Sequence, residues 1–200
     1  MKGSESLMEK RDEEIMMDYQ AGRKEAVRMI FQRYKSRILS FCLRTLGHRA
    51  DAEEAASEVF LALFTSRYQF DPKTKFSTWL YRIARNQCVN QFRRRKNMTS
   101  LEFSSSNGEN DSSWDIPDQN DLPREEMDRK ETSVHVRSAI EKLPYEQREA
   151  IVLQHYDGLS YEEISEVMEC SLDKVKILIF RAKERLRIEL TSLLKENEYE

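Results

Sequence analysis

Glycine and proline are scarce in this sequence, at 5 and 4 in 200 residues, well under the roughly 12% the two usually supply together. So few chain-reversing residues do not furnish the turns of a β-sandwich, and long helices are expected instead. Cysteine is scarcer still. Cys42, Cys88 and Cys170 are odd in number and far apart. They exclude a disulfide scaffold and suit a reducing cytoplasm. No run approaches the ~20 apolar residues that span a bilayer, so no membrane insertion is expected. Met1 to Arg11 has no apolar segment followed by a small-residue cleavage site, so no secretory leader is expected either. His48, His135 and His155 are scattered and show no metal-ligand spacing with the cysteines. A glycine-rich phosphate loop and a Gly-x-Ser-x-Gly elbow are both missing. No enzyme is expected, and with it no catalytic residue, metal or cofactor.

The charge present is sorted along the chain, although it sums to only -3. From Phe76 to Asn97 stand Arg82, Arg85, Arg93, Arg94, Arg95 and Lys96 with no acidic residue. From Thr99 to Ser133 ten acidic residues face only Arg124, Arg129 and Lys130. From Ser171 to Arg187 six basic residues outnumber two acidic ones. Two basic stretches around an acidic connector suit a chain that meets one polyanion at two surfaces. Residues 100–124 are rich in Ser, Asn, Asp, Pro and Gly, and their apolar residues are isolated. Such a segment cannot bury enough surface to offset the entropy of ordering it. The expected fold is all-α: two small helical domains, residues 10–97 and 131–195, joined by a flexible acidic linker, residues 98–130.

Helical spacing places the elements. Ile15 to Ala21 reads as a short helix stopped by Gly22. Ala26, Ile30, Tyr34, Ile38 and Phe41 form the stripe of a second, stopped by Gly47. Asp51 with Glu54 reads as a cap for a third, whose apolar stripe is Ala52, Ala55, Ala56, Val59, Phe60, Leu63 and Phe64. Asp71-Pro72 is a turn. Phe76, Trp79, Leu80, Ile83, Ala84, Cys88 and Phe92 line the next helix, expected to end in Arg93 to Lys96. In the second domain, helices are expected over 134–143, 145–156, 160–168 and from 171 towards 194. Ser160 and Glu163 form a capping box, and Ser171 caps the last helix.

Three segments carry binding chemistry. Leu159 to Arg187 has the spacing of a helix-turn-helix, with Ile164, Val167, Val175 and Ile179 as the core between its two helices. Ser171, Lys174, Lys176 and Arg181 would then reach duplex DNA; a plain helical hairpin with a basic face is the alternative. On the helix from Phe76, Thr78, Arg82, Arg85, Asn86, Val89 and Arg93 leave the apolar stripe, and Arg94 follows them. Arginines beside an amide can follow a phosphate backbone, and Trp79 or Tyr81 could hold an unstacked base. The register of Trp79 with Phe76 and Ile83 argues for core. Asp51, Glu54, Ser57 and Glu58 form a polar face that cannot meet DNA. It either solubilises the helix or orients a basic protein partner. A self-sufficient helix-turn-helix regulator, which needs a dimer surface and a palindromic site, and a helical adaptor for an acidic protein are the competing readings.

Motifs occurring in order extend this. Asp18-Tyr19-Gln20-Ala21-Gly22, then Asp51-Ala52-Glu53-Glu54 with Glu58-Val59-Phe60, precede Phe76-Ser77-Thr78-Trp79-Leu80-Tyr81-Arg82-Ile83-Ala84-Arg85-Asn86. Leu143-Pro144, Gln147-Arg148-Glu149 and Gly158-Leu159-Ser160-Tyr161-Glu162-Glu163-Ile164 follow. The set resembles the extracytoplasmic-function (ECF) group of bacterial RNA polymerase sigma factors. The resemblance implies a first domain that melts and captures the −10 promoter element and a second that reads the −35 element as duplex. It places Asn86 at an extruded base, with Arg82 and Arg85 on the backbone nearby. Glu54, Ser57 and Glu58 would meet the β′ coiled coil of core polymerase, and the implied partners include the β flap, promoter DNA and an anti-sigma protein. The chain departs from the group's pattern at Ser57, often Gln; at Glu169, often Gly; and at Ile177 and Leu178, where small polar residues and Arg are usual. Ile177-Leu178-Ile179-Phe180 cannot all face one core, so part of the run is expected on the DNA or partner side. Opening DNA costs about 1.4 kcal/mol per base-pair step, and one captured base returns roughly 1–3 kcal/mol. Melting therefore needs several contacts and the polymerase. A free chain is expected to bind promoter DNA poorly, with the acidic linker competing for its basic faces.

Overall fold

The computed structural model describes residues 10–101 and 126–197, with the side chains of 96–101, 126–133 and 192–197 excepted. They divide into two compact units, one on each side of the gap, with Leu43–Arg49 grouped with the second. No strand occurs among the described residues. Of the expected linker, residues 98–101 and 126–130 are described and are helical. The rest, with its competition for the basic faces, lies outside the described residues.

The first unit contains α1 (Asp12–Gln20), α2 (Lys24–Leu46), α3 (Arg49–Thr65), a 3-10 turn (Arg67–Gln69) and α4 (Phe76–Leu101). α1 opens three residues before the expected Ile15. Asp12, Glu13 and Glu14 fill its first turn, where carboxylates meet the positive end of the helix dipole. Gly22 and Gly47 follow α1 and α2 with φ of 91° and 74°, a left-handed conformation that costs a side-chain-bearing residue about 1–2 kcal/mol. α3 begins at Arg49, so Asp51 lies inside its first turn and is not its cap. The chain re-enters a helix within two residues of Gly47, earlier than the Asp–Glu pair signals.

Three polar ties fix α1. Asp12 receives a hydrogen bond from the Tyr34 hydroxyl at 2.5 Å and an ion pair from Arg33 at 2.6 Å; burial and this carboxylate push the Tyr34 phenol far above its ordinary pKa. Asp18 is held below the usual carboxylate range by its hydrogen bond from Lys10 at 2.8 Å, aided by Arg23 at 2.8 Å. Gln20 donates its amide to the carbonyl oxygens of Arg67 (2.8 Å) and Phe70 (3.0 Å). The last tie pins the segment that leads into α4.

α4 enters the core on most sides. Phe76, Thr78, Trp79, Leu80 and Tyr81 are all buried, ringed by Tyr34, Phe41 and Phe70 in edge-to-face contacts. Thr78, expected on the exposed face, is therefore core. Further along, one stripe remains buried: Ala84, Cys88 and Gln91. Phe92 is 43% exposed and Phe64 is 37% exposed; both were expected in the core. Each i to i+4 step overshoots a turn by about 40°. Phe92 thus lies about 160° round from Phe76, and the step to Gln91 returns to the buried side. The basic end does not stop α4, which continues to Leu101.

The second unit contains α5 (Glu126–Glu141), α6 (Tyr145–His155), α7 (Tyr161–Met168) and α8 (Leu172–Asn197). α5, α6 and α7 all pack on α8. α5 begins eight residues before the expected Val134, which is 55% exposed. Arg148 of α6 donates to the carbonyl oxygens of Glu141 and of Leu143 (3.2 Å), satisfying the end of α5; burial lowers its pKa from the ordinary guanidinium value. The capping box of Ser160 and Glu163 is formed in both directions. Ile164, Val167, Val175 and Ile179 are at most 1% exposed and make the expected core between α7 and α8.

Candidate nucleic-acid interface

The exposed side of α4 is polar and basic. Arg82, Asn86, Asn90, Arg93 and Arg94 are exposed and recur at helical spacing, while Arg85 is half-buried beside them. The Glu13 carboxylate, from α1, accepts the Phe76 backbone N–H at 2.9 Å. It thereby closes the start of α4 and fixes where this row begins. Asn90 was not anticipated, although it stands one turn after Asn86 on the same face.

Trp79 and Tyr81 do not join the row. Trp79 is 7% exposed against Phe70 and Phe76, and Tyr81 is fully buried against Phe41. Neither ring offers a face to an unstacked base, because both are packed among the rings of Phe41, Phe70 and Phe76. Tyr68 is a more exposed aromatic of this unit, at 69%. It lies in the 3-10 turn before α4, and the Arg67 guanidinium sits 4.7 Å from its ring and 5.0 Å from that of Tyr19. No periodicity singles out a residue in so short a turn, so sequence reading passes over it.

The polar face of α3 stands next to the basic end of α4. Glu54, Ser57 and Glu58 are exposed and Asp51 is half-buried. Arg94 pairs with Glu54 at 3.0 Å and Arg95 with Asp51 at 3.5 Å. Ser57 turns its hydroxyl back onto the Glu53 carbonyl at 2.8 Å.

In the second unit α7 and α8 meet at a tight break. Glu169 takes the left-handed conformation (φ 52°, ψ 48°) in which glycine is usual. The Ser171 hydroxyl accepts the Lys174 backbone N–H at 3.2 Å, so Ser171 caps α8 as well as standing at its exposed start. Lys174, Lys176 and Arg181 are exposed along the first turns of α8. Two of them hold carboxylates: Lys174 pairs with Glu146 at 3.0 Å and Lys176 with Asp173 at 3.4 Å. Of the apolar run, Leu178 and Ile179 are buried, while Ile177 is 50% and Phe180 66% exposed.

Cys42 and Cys88 are buried and Cys170 is half-buried, and none of the three is in a disulfide. No His, Cys, Asp and Glu group that could hold a metal occurs among the described residues. No described helix is long and apolar enough to cross a membrane.

Two family models match the chain: residues 30–98 match Sigma-70 region 2, and residues 125–186 match Sigma-70, region 4. The chain is 33% identical over 190 residues to the ECF RNA polymerase sigma factor SigW of Bacillus subtilis, covering 94% of this chain and 100% of that protein. It is 31% identical over 196 residues to the RNA polymerase sigma-H factor of Pseudomonas aeruginosa, covering 95% and 99%. The chain belongs to the ECF RNA polymerase sigma factors. As a sigma factor it directs promoter-specific initiation of transcription. Its fold is that of the sigma factor RpoE in complex with the anti-sigma factor NepR from Bartonella quintana (TM-score 0.65, 20% identity, 82% of this chain and 96% of that one). It is also that of CnrH in complex with the cytosolic domain of CnrY (TM-score 0.65, 22% identity, 90% and 97%).

Proposed function

We propose that this sigma factor engages its promoter at two places while bound to core polymerase. Residues 10–97 act at the −10 element and residues 131–195 at the −35 element, with 98–130 between them. On α4, Asn86 holds a base extruded from the non-template strand, and Arg82, Arg85, Arg93 and Arg94 follow the backbone. Tyr68 supplies the stacking surface that the buried Trp79 and Tyr81 cannot. On α8, Lys174, Lys176 and Arg181 meet phosphates and base edges, and Ser171 fixes the helix end that approaches them. Asp51, Glu54, Ser57 and Glu58 meet the β′ coiled coil; the second unit meets the β flap. An anti-sigma protein that covers these exposed faces is a further proposed partner. The protein works in the cytoplasm by binding, without catalysis of its own.

The observation that carries this reading is the exposed row of Arg82, Asn86, Asn90 and Arg93 on a helix whose opening turns are core. Run-off transcription with purified core polymerase and Asn86→Ala tests it. Permanganate reactivity of the melted strand should fall about tenfold, the equivalent of one lost base contact, with holoenzyme binding to the duplex retained. An unchanged footprint removes Asn86 from the site.

A further inference from the structure

Ile177 and Phe180 stand in water at 50% and 66% exposure, one helical turn apart on α8. They are not spare core residues, because the same stretch buries Leu178, Ile179 and Ala182 on its other side. Their surroundings carry both signs and are cationic on balance: Asp173 and Glu184 share the face, and four cations outnumber them. Lys174 precedes Ile177 by one turn, Arg181 follows it by one turn, and Lys176 and Lys183 are exposed beside them. The ligand that fits this face presents a polyanionic rim and an apolar centre. A DNA major groove presents both, with phosphates along its edges and the C5-methyl of thymine as its apolar feature.

Resting on the −35 role proposed for α8, we propose that Ile177, packed beside Phe180, is a specificity-determining residue that reads the methyl group of a thymine in the −35 element. Apolar contact distinguishes thymine from the other bases in the major groove without any hydrogen bond. Burying one methyl between the base edge and an isoleucine is enough for about threefold to fivefold discrimination. The flanking cations hold the helix in the groove and carry no sequence information themselves.

The test uses holoenzyme, assembled from the full chain and core polymerase. A promoter is first selected from a library randomised across the −35 region. Each thymine of the selected element is then replaced singly by deoxyuridine, which removes only the methyl group. At one or two positions the replacement should lower open-complex formation about threefold to fivefold with the wild-type chain. Ile177→Ala should lower it to the same level with thymine and show no further loss with deoxyuridine. Indifference of the wild-type chain to deoxyuridine at every position overturns the inference. So does an Ile177→Ala chain that stays fully sensitive to deoxyuridine. A third result also overturns it: unchanged transcription by Ile177→Ala and Phe180→Ala together with weakened binding of an anti-sigma protein, which would assign the face to a protein partner. Charge reversal at Lys174 and Lys176 separates this inference from the reading beneath it. If that variant transcribes normally from a −35-dependent template, the −35 role of α8 is wrong. If it fails while deoxyuridine has no effect, only the methyl contact is wrong. Both apolar residues are exposed, and helical content by circular dichroism verifies that the alanine variants fold.

Discussion

Glu169 is the residue at which the backbone is most at odds with its side chain. Its φ of 52° is the one positive value among the described non-glycine residues. The left-handed conformation costs an L-residue about 1–2 kcal/mol. Glycine would avoid that cost but loses about 0.5–1 kcal/mol more backbone entropy on folding. The difference favours glycine slightly. Glu169→Gly should therefore raise the stability of the second unit by up to about 1 kcal/mol, read as a higher urea midpoint with an unchanged slope. The strain is tolerated because both neighbours hold the break in place. The Cys170 backbone N–H reaches the Ser165 carbonyl at 3.1 Å, and Ser171 caps the next helix. The turn thus keeps the geometry that aims α8, whichever residue occupies position 169, and transcription from a −35-dependent promoter should not change.

At the scale of elements, α4 shows what local pattern carries and where it stops. Its buried stripe was legible because apolar residues recur at the helical period, and the arginines off that stripe were legible as a face. The same holds for the core of α7 and α8, whose capping signals are local. What was not legible came from distant chain. Thr78 and Tyr81 sit off the stripe but are buried, Tyr81 with its ring edge-to-face against Phe41 of α2. Arg94 and Arg95 lack carboxylates on their own helix but find them on α3. The start of α4 likewise depends on Glu13, distant in sequence, which no local rule connects to Phe76. This carboxylate takes one of the unpartnered N–H groups of the first turn and adds a favourable charge at the positive end of the helix. Glu13→Ala should cost about 1 kcal/mol, seen as a lower thermal midpoint. Glu13→Gln retains the hydrogen-bonding oxygen and should cost roughly half as much. If α4 carries the −10 contacts, open-complex formation by Glu13→Ala should fall more than its duplex binding, since melting demands the tighter placement of Asn86.

Across the whole molecule, the cations proposed for DNA, and Arg95 beside Arg94, are partly occupied before DNA arrives. Arg94 and Arg95 hold Glu54 and Asp51; Lys174 and Lys176 hold Glu146 and Asp173. Each pair lies at the surface, with Asp51 half-buried, and is worth only about 0.2–1 kcal/mol, but phosphate contact must displace them all. If these cations meet phosphates, the pairs together would lower DNA affinity by something on the order of tenfold to a hundredfold, in addition to any competition by the acidic linker. The two pairs in the first unit differ from those in the second in one respect. Their carboxylates lie on the face proposed for the β′ coiled coil, so a polymerase that takes Asp51 and Glu54 would leave Arg94 and Arg95 for the promoter. Core binding and DNA binding would then be linked, because a carboxylate engaged by polymerase no longer competes with phosphate. No polymerase contact is proposed at Glu146 or Asp173, so no such coupling is expected from the pairs of the second unit. Glu146→Gln with Asp173→Asn should raise duplex affinity of the free chain about threefold to tenfold and leave affinity for core polymerase unchanged. Asp51→Asn with Glu54→Gln should raise free-chain affinity for DNA by a similar factor but weaken core binding. Fluorescence anisotropy at a fixed, low salt concentration measures both, and low salt is needed because ion pairs and phosphate contacts are screened alike. Equal effects of the two double variants on core binding would show that the acidic face of α3 is not where polymerase docks.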